Sequence, residues 1–275
     1  MGVPFLKSVV TVMIPVLFAS IGGLFPALAG TLNIALEGML LAGAFSSLAV
    51  YYFSGSAAMA VAAAAACAAA LCALHIFTAL KLRANIFICG LAVNLLSGAL
   101  CTVVSGGLFA AKGTITLQNS AYSGASDLVY PYLFSAIFLL FIAHVVIYNT
   151  PFGYRLRACE KNGESLISLG IEPDFYKITA MLICAVFCGI GGSFLSLNLG
   201  AFVPGMSAGK GWIALVVIFL GGRKPFGLLA AVLVFAAAES FTNYAQGFWK
   251  LPSEFILSLP YVCTLIAMLL SRKTE

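Results

Sequence analysis

The stretch that decides how this chain folds is Gly30–Phe45, GTLNIALEGMLLAGAF, which places polar groups inside otherwise apolar sequence. Its carboxylate, Glu37, and its amide, Asn33, stand four residues apart, a spacing that puts both on one face of a helix. An ionised group is expensive in hydrocarbon and normally faces the interior of a helix bundle or a watery cavity. Glycines within the stretch permit close packing or a break in the helix. We interpret the segment as the lining of a transport pathway; the alternative is a polar pair that only joins two helices.

The composition is that of an integral membrane protein. Of the 275 residues, 62% are hydrophobic and 8% are charged, whereas about 25% of the residues in a soluble domain are charged. The sequence predicts an all-α, polytopic transmembrane helix bundle of about nine membrane segments, some broken or re-entrant, in one transmembrane domain over residues 1–275. The apolar runs span residues 8–28, 32–53, 57–80, 86–110, 131–149, 177–199, 211–222, 225–246 and 254–271.

Neither the cysteines nor the histidines point to chemistry of their own. The eight cysteines include no Cys-x-x-Cys pair and fall mostly in apolar segments, so packing explains them better than metal binding or redox work. His75 and His144 are isolated from other ligand-type residues. The net charge of +5 comes from short basic clusters between apolar runs, and no nucleic-acid motif is present. We therefore expect no metal, no cofactor bound by this chain and no nucleic-acid partner.

The basic clusters predict the side of the membrane on which each loop lies. Ten of the fourteen lysines and arginines fall in the 81–83, 150–177 and 223–224 loops and at the C-terminus. The positive-inside rule assigns these loops to the cytosol.

The seventh apolar run is too short to cross a membrane alone. Trp212–Gly222 has about eleven residues, against the roughly 20 that a crossing needs. It follows Gly200–Gly211, GAFVPGMSAGKG, which is rich in helix breakers. Short segments interrupted by Gly or Pro, one in each half of a transporter, indicate a central binding site. Gly30–Phe45 and Gly200–Gly222 fit that description.

Two further polar residues stand in apolar runs. Asn94 lies within the fourth run, where hydrogen bonding between helices is the simpler expectation and lining the pathway is the alternative. Glu239 ends the alanine-rich part of the eighth run. A solvated helix end near the outer mouth is the simpler expectation for Glu239, and contact with substrate is the alternative.

The charged loop at about 150–177 contains a candidate docking helix. The chain leaves the membrane through Pro151 and Gly153, and it then presents Arg155 and Arg157. A two-turn amphipathic helix is expected next, and since so short a helix is unstable alone, we expect it to dock on a cytosolic partner; the alternative is docking on its own bundle. Its features are an N-cap at Asn162, a first-turn acid at Glu164, an apolar ridge of Leu166, Ile167 and Leu169 beside Ser165, and a stop at Gly170.

Three stretches, in this order, resemble the permease subunits of bacterial ABC importers for branched-chain amino acids, ribose-type sugars and nucleosides. They are GTLNIALEGMLLAGAF (30–45), TPFGYRLRACEKNGESLISLGI (150–171) and FVPGMSAGKGWIALVVIFLGG (202–222). The stretch at 30–45 is most similar to the nucleoside branch, which is associated with binding lipoproteins of the basic-membrane-protein type. The stretch at 150–171 resembles the coupling loop of that branch, and the stretch at 202–222 resembles its other signature.

The resemblance implies an assembly in the bacterial cytoplasmic (inner) membrane. A dimer of two permeases, usually different ones, carries two cytosolic ATP-binding subunits that bind ATP and Mg, and it receives ligand from an extracytoplasmic substrate-binding lipoprotein. By position, the resemblance makes Asn162–Gly170 the coupling helix, although Ser165-Leu166 replaces the small residues common there. It places Asn33, Glu37 and the Phe202–Lys210 region along the translocation path.

The sequence therefore predicts a non-enzymatic permease subunit of an ATP-driven importer. We expect a nucleoside as the solute, with a sugar or a branched-chain amino acid as alternatives. Because the chain contains no nucleotide-binding motif, ATP hydrolysis is expected on another chain. Two other classes stay open at this point. One is an ion-coupled secondary transporter or channel, with Glu37 and Glu239 as its titratable residues, and the other is a membrane anchor or receptor without transport.

Overall fold

The computed structural model of the chain describes residues 2–109, 113–117, 128–161 and 163–245. This part is almost entirely helical, which confirms the predicted all-α fold. A π-helical turn, Phe77–Lys81, extends the third helix. The elements are α1 (Gly2–Leu28), α2 (Leu36–Ser54), α3 (Ala57–Ile76), α4 (Ile86–Phe109), β1 (Ile115–Thr116), α5 (Val129–Asn149), α6 (Pro151–Lys161), α7 (Gly163–Ser168), α8 (Pro173–Leu199), β2 (Ala201–Phe202), α9 (Lys210–Leu220) and α10 (Pro225–Ala245).

Among the described residues, seven helices are long and apolar enough to cross a membrane. They are α1, α2, α3 with its π-helical turn, α4, α5, α8 and α10. The short run predicted at 211–222 is α9, which has 11 residues. The ninth predicted run, 254–271, lies outside the described residues. The polytopic bundle is therefore confirmed, with eight of the nine predicted runs seen as helices.

Local sequence explains where the central helices begin and end. The Ser56 side chain accepts a hydrogen bond from the Met59 backbone N–H at 3.5 Å and caps the alanine-rich α3. Gly55 (φ +64°) and Gly200 (φ +66°) adopt the left-handed conformation that ends α2 and α8. α8 begins at Pro173, earlier than the predicted run, because proline fits the first helical turn, where its missing N–H costs nothing.

The core is built around α8, which packs against α1, α2 and α3. Glycines permit the close approach of these helices: a β-carbon at Gly192 would overlap the Leu40 carbonyl oxygen of α2. A β-carbon at Gly43 of α2 would lie 2.8 Å from the Gly189 carbonyl oxygen of α8. Packing at this separation leaves no room for a side chain. The α2–α8 pair therefore fixes the position of α2, whose first turn carries Glu37.

The segment after α5, which the sequence predicted only as the point where the chain leaves the membrane, is a helix, α6. Thr150 has an extended backbone, and its hydroxyl accepts a hydrogen bond from the Gly153 N–H at 3.3 Å. Pro151 occupies the first helical position. A threonine cap followed by proline is typical of a helix N-terminus. A β-carbon at Gly153 would overlap the Ile147 carbonyl oxygen, so the corner between α5 and α6 requires glycine there.

The predicted cytosolic loops meet at one end of the bundle. This basic end comprises residues 81–83, α6, α7, the start of α8 and the α9–α10 turn (221–224). Arg223 of the turn donates a hydrogen bond to the Glu160 carboxylate of α6. Arg155 of α6 donates to the Tyr176 hydroxyl of α8 at 3.0 Å. Lys81 and Asp174 line the same cavity.

Candidate functional site

The chain between α1 and α2 is not helical. Gly30 has φ +75° and begins an unwound turn that ends where α2 starts at Leu36. The Asn33 side chain accepts a hydrogen bond from the Ala35 N–H at 3.0 Å and lies 3.4 Å from the Cys184 thiol. The prediction that Asn33 and Glu37 share one helical face is wrong, because the helix begins only after Asn33. Asn33 is 1% exposed and stabilises the unwound turn from inside the bundle.

Glu37 lies in the first turn of α2 and binds the N-terminus of the short helix α9. Its two carboxylate oxygens accept hydrogen bonds from the Gly209 N–H at 2.8 Å and from the Gly211 N–H at 2.7 Å. The first N–H groups of a helix have no partner within the helix, and the N-terminus carries a partial positive charge. The Glu37 carboxylate therefore accepts hydrogen bonds from the unpaired N–H groups and also offsets the partial positive charge of the α9 N-terminus. A β-carbon at Gly211 would lie 2.6 Å from the Glu37 α-carbon, so this contact depends on glycine.

The two broken segments therefore meet within the bundle rather than at its surface. α9 has 11 residues, a length of about 16 Å at 1.5 Å per residue. It ends at the basic end, so its N-terminus lies about one helix length away from that end. Glu37 and Gly209 are both part-buried. The pairing of Gly30–Phe45 with Gly200–Gly222, which the sequence indicated only by their irregularity, is a direct hydrogen-bonded contact.

A second ion pair stands beside this contact. Lys210, the first residue of α9, lies 3.7 Å from the Glu239 carboxylate of α10, with side chains 14% and 22% exposed. The second Glu239 carboxylate oxygen is buried, and it has no hydrogen-bond partner among the described residues. The expectation of a solvated helix end for Glu239 is wrong, because α10 continues to Ala245 and the carboxylate faces α9. Three charged residues therefore lie together at the start of α9: Glu37, Lys210 and Glu239.

Asn94 of α4 stabilises the start of α2. Its side chain accepts a hydrogen bond from the Gly38 N–H at 2.8 Å and donates to the Ile34 carbonyl oxygen at 2.9 Å. Ser97 donates to the Gly38 carbonyl oxygen at 2.6 Å. The two Asn94 bonds satisfy backbone groups that the break in the helix leaves free, and the Ser97 bond adds a further contact between α4 and α2. The predicted hydrogen bonding between helices is confirmed for Asn94.

Phe202 lies at the other end of the segment that leads into α9. It belongs to β2, which pairs with β1 in antiparallel register, Ile115 opposite Phe202. Its ring is 1% exposed and stacks edge-on against Phe45 of α2 at 5.2 Å. The residues that follow it, 203–205, are exposed.

The predicted docking helix is α7, and it ends as expected at Gly170 (φ +75°). The Gly170 N–H bonds the Ile167 carbonyl at 2.9 Å and the Ile171 N–H bonds the Leu166 carbonyl at 2.9 Å, which is the Schellman pattern. Leu166 is 6% exposed and packs into the core, whereas Ile167 and Leu169 are 64% and 74% exposed. The apolar ridge is therefore divided, with one residue holding α7 to the bundle and two facing outward.

The other predicted docking residues lie around α7. Glu164 and Ser165 are exposed on its first turn, and Arg155 is bonded to Tyr176. Asn162 lies outside the described residues. Cys159 of α6 is buried, and burial raises the pKa of its thiol although the nearby Lys177 opposes this effect. The thiol therefore stays protonated at neutral pH, in agreement with a packing role.

The sequence singled out neither Glu160 nor Arg223, and it named Lys210 only as the end of the Phe202–Lys210 region. Glu160 and Arg223 join α6 to the α9–α10 turn, and Lys210 pairs with Glu239. A signal existed for Lys210, since a lone lysine in the Gly209–Gly211 stretch enters an apolar run. Nothing in the sequence pairs Glu160 with Arg223, which are 63 residues apart.

Comparisons with known proteins agree with these features. The model of the family described as the permease component of branched-chain amino acid transport systems matches residues 5–270. A guanosine ABC transporter permease, NupQ of Bacillus subtilis, is 27% identical, with 92% of this chain and 87% of the relative aligned. A nucleoside ABC transporter permease, NupC of Lactococcus lactis, is 29% identical over 93% and 88% of the two chains. A Haloferax volcanii permease provisionally assigned to glucose is 28% identical over 88% and 77%. No solved structure matches.

Proposed function

This chain belongs to the family of permease components of branched-chain amino acid transport systems, and from that membership we propose that it forms the membrane path of an ATP-driven nucleoside importer. It is an ABC importer permease and a multi-pass membrane protein, without an ATPase domain of its own. Membership in this family separates it from the ion-coupled transporters and channels, and from the anchors without transport, that the sequence alone left open. The bacterial cytoplasmic membrane is its proposed location.

The observation that supports a pathway is the contact between Glu37 and the start of α9. Two interrupted segments meet through hydrogen bonds, and three charged residues lie at this contact: Glu37, Lys210 and Glu239. Interrupted helices whose N-termini point at polar groups are the usual form of a substrate site in transporters. We propose that, at rest, the Glu37 carboxylate holds the N-terminus of α9 against α2 and so keeps the path closed. In this proposal, Asn33, Asn94 and Phe202 hold the surrounding backbone in place. Opening of this contact would admit the solute between α2 and α9.

The proposed solute is a nucleoside, in line with two relatives whose names specify guanosine and nucleoside. A base and a ribose offer several hydrogen-bond donors, and the Glu239 carboxylate oxygen that has no partner among the described residues is a suitable acceptor. The name of the third relative specifies glucose, so a sugar is the competing solute. Both are small and polar.

The solute is tested by uptake into proteoliposomes that contain the permease, its ATP-binding subunits and its binding lipoprotein. We expect ATP-dependent accumulation of radiolabelled guanosine that excess unlabelled adenosine or uridine reduces and that excess glucose or leucine does not. Vesicles without ATP supply the control. Accumulation of glucose or leucine in place of guanosine would contradict the nucleoside proposal and leave the importer proposal standing.

We propose that the outward face of α7 receives the ATP-binding subunit. Ile167 and Leu169 are the apolar side chains on this face, and an exposed apolar patch rimmed by polar residues is typical of a protein interface. Glu164, Ser165 and Gly170 lie beside them, and α7 is held to the bundle through Leu166. The ATP-binding subunit would therefore contact a short helix whose opposite face is already packed against the bundle.

The double change Ile167→Asp with Leu169→Asp should abolish co-purification of the ATP-binding subunit. Because both side chains are exposed, the permease itself should keep its melting temperature within about 2 °C, since surface changes of this kind usually alter stability by less than about 0.5 kcal/mol each. Leu82→Asp is the matched control, since Leu82 is 62% exposed at the same end of the bundle. Full retention of the ATP-binding subunit by the double variant would show that docking occurs elsewhere.

A further inference from the structure

Glu160, near the end of α6, contacts residues next to both broken segments. Its carboxylate accepts a hydrogen bond from the Arg223 guanidinium. Gly30 packs against it so closely that a β-carbon there would lie 3.0 Å from the Glu160 α-carbon. Gly30 begins the unwound turn that leads to Glu37, and Arg223 follows α9. One residue of α6 therefore touches both arms of the candidate site.

The short helix α9 connects Arg223 to the site as a rigid element. The Arg223 N–H bonds the Ile218 carbonyl at 3.0 Å and the Gly222 N–H bonds the Phe219 carbonyl at 3.0 Å, so the backbone of Arg223 is fixed to the end of α9. The other end of α9 is held by the Glu37 carboxylate. A helix of 11 residues bonded at both ends transmits a displacement along its axis.

On the other side, Glu160 is connected to α7, the proposed docking helix, because Glu160 belongs to α6 and α6 packs against α7. Both helices are anchored to the bundle, α6 through the fully buried Leu156 and α7 through Leu166. Both also pack against α8. A force applied to α7 therefore reaches Glu160 through contiguous contacts, the physical condition for coupling between distant sites.

We infer that Glu160 is a positioning residue that carries movement of α7 to both broken segments. It does so through the ion pair with Arg223 on the α9 side and through contact with Gly30 on the α2 side. The inference rests on the proposed function, because it assumes that an ATP-binding subunit moves α7. It adds the route by which that movement reaches the Glu37 contact.

The exposure of the pair separates this role from a role in folding. The Arg223 and Glu160 side chains are 36% and 31% exposed, and ion pairs so open to solvent contribute little to stability. Their replacement therefore leaves the bundle folded, and a loss of transport can be assigned to coupling.

The test uses the complete complex with the variants Glu160→Gln, Arg223→Gln and the exchange Glu160→Arg with Arg223→Glu. Lys161→Gln and Lys224→Gln are the matched controls, because each removes one charge from the neighbouring position. Each complex is assayed for retention of the ATP-binding subunit, for ATPase rate and for uptake of radiolabelled guanosine.

We expect both glutamine variants to retain the ATP-binding subunit and to hydrolyse ATP within twofold of the wild-type rate. Uptake per ATP should fall at least about fivefold, the lower end of typical coupling effects. The exchanged pair should recover at least half of the lost uptake, and the two controls should stay within twofold of wild type. Uptake within twofold of wild type in both glutamine variants would overturn the inference. So would loss of the ATP-binding subunit, which would make Glu160 a docking residue, or failure of the exchanged pair to recover.

A second measurement does not depend on the identity of the solute. Val203, 36% exposed, is changed to cysteine, and its alkylation rate is compared with and without trapping by ATP and vanadate. The chain with Val203 unchanged measures the background from native cysteines. We expect trapping to change the alkylation rate at least about threefold in the chain that carries Val203→Cys alone, in keeping with the modest size of coupling effects. In the chain that also carries Glu160→Gln, the change should be less than about 1.5-fold. Equal changes in both backgrounds would overturn the inference. If the unaltered permease neither retains an ATP-binding subunit nor responds to trapping, the proposed function itself fails.

Discussion

Replacing Glu37 with alanine is expected to reduce ATP-dependent uptake at least about tenfold, the largest functional effect of any single change at this site. The change leaves the Gly209 and Gly211 N–H groups without their acceptor. An unsatisfied buried donor costs about 1–3 kcal/mol, and the α9 N-terminus also loses the negative charge that stabilises its dipole. α9 would then leave its resting position against α2. Uptake into proteoliposomes and the melting temperature of the purified chain are the measurements.

Two further variants separate charge from shape at this position. Glu37→Gln keeps the volume and one acceptor oxygen, so it should retain the ATP-binding subunit and show uptake between that of the alanine variant and wild type. Glu172→Gln removes an exposed carboxylate that caps no backbone group at the start of α8, and it should behave as wild type. Uptake by Glu37→Ala within twofold of wild type would show that the contact only joins two helices and is not part of the path.

The change Gly192→Ala is expected to cause a large loss of stability. A β-carbon at this position would overlap the Leu40 carbonyl oxygen and lie 2.9 Å from the Ala44 nitrogen, so the backbones of α2 and α8 must separate. Overpacking of a filled core costs about 1–3 kcal/mol and sometimes more. Because α2 carries Glu37, the separation would also disturb the α9 contact. Thermal unfolding in detergent should show a midpoint lower by several degrees and a reduced yield of folded protein.

Gly98→Ala on α4 is the matched control for that experiment. Nothing lies within 4 Å of a β-carbon built at Gly98, and alanine in a helix interior is favoured over glycine by about 1 kcal/mol. The control should therefore leave the midpoint unchanged or raise it. Equal midpoints for the two variants would mean that α2 and α8 are free to separate without cost.

Much of the fold follows from the sequence because membrane helices are specified by local composition. The apolar runs predicted α1 to α5 and α8 to α10. In hydrocarbon, the backbone N–H and C=O groups of each spanning segment must form their hydrogen bonds within the segment, which favours helices. Local signals also gave the stop at Gly170. They did not lead to a prediction of α6, because Pro151 and Gly153 were interpreted only as the exit of the chain from the membrane, although proline suits the first turn of a helix.

The candidate site was predicted in part. Glu37 stood out because a carboxylate in apolar sequence requires a partner, and the helix breakers around 200–211 marked the second segment. The same patterns misplaced Asn33, since four-residue spacing implies a shared face only if the helix is continuous. They also grouped Leu166 with Ile167 and Leu169 in one apolar ridge, whereas Leu166 is buried against the bundle and the other two side chains are exposed.

By itself, the sequence determined that this protein is a helical membrane bundle, which residues are too polar to face lipid, and where the helices are interrupted. Only the tertiary structure decided which partners satisfy those groups: Glu37 with the start of α9, Lys210 with Glu239, and Glu160 with Arg223. The physical reason is the range of the forces. Hydrophobicity and helix capping act within a few residues, whereas a buried charge is satisfied by whatever donor the packed helices bring near it, however distant that donor is along the chain.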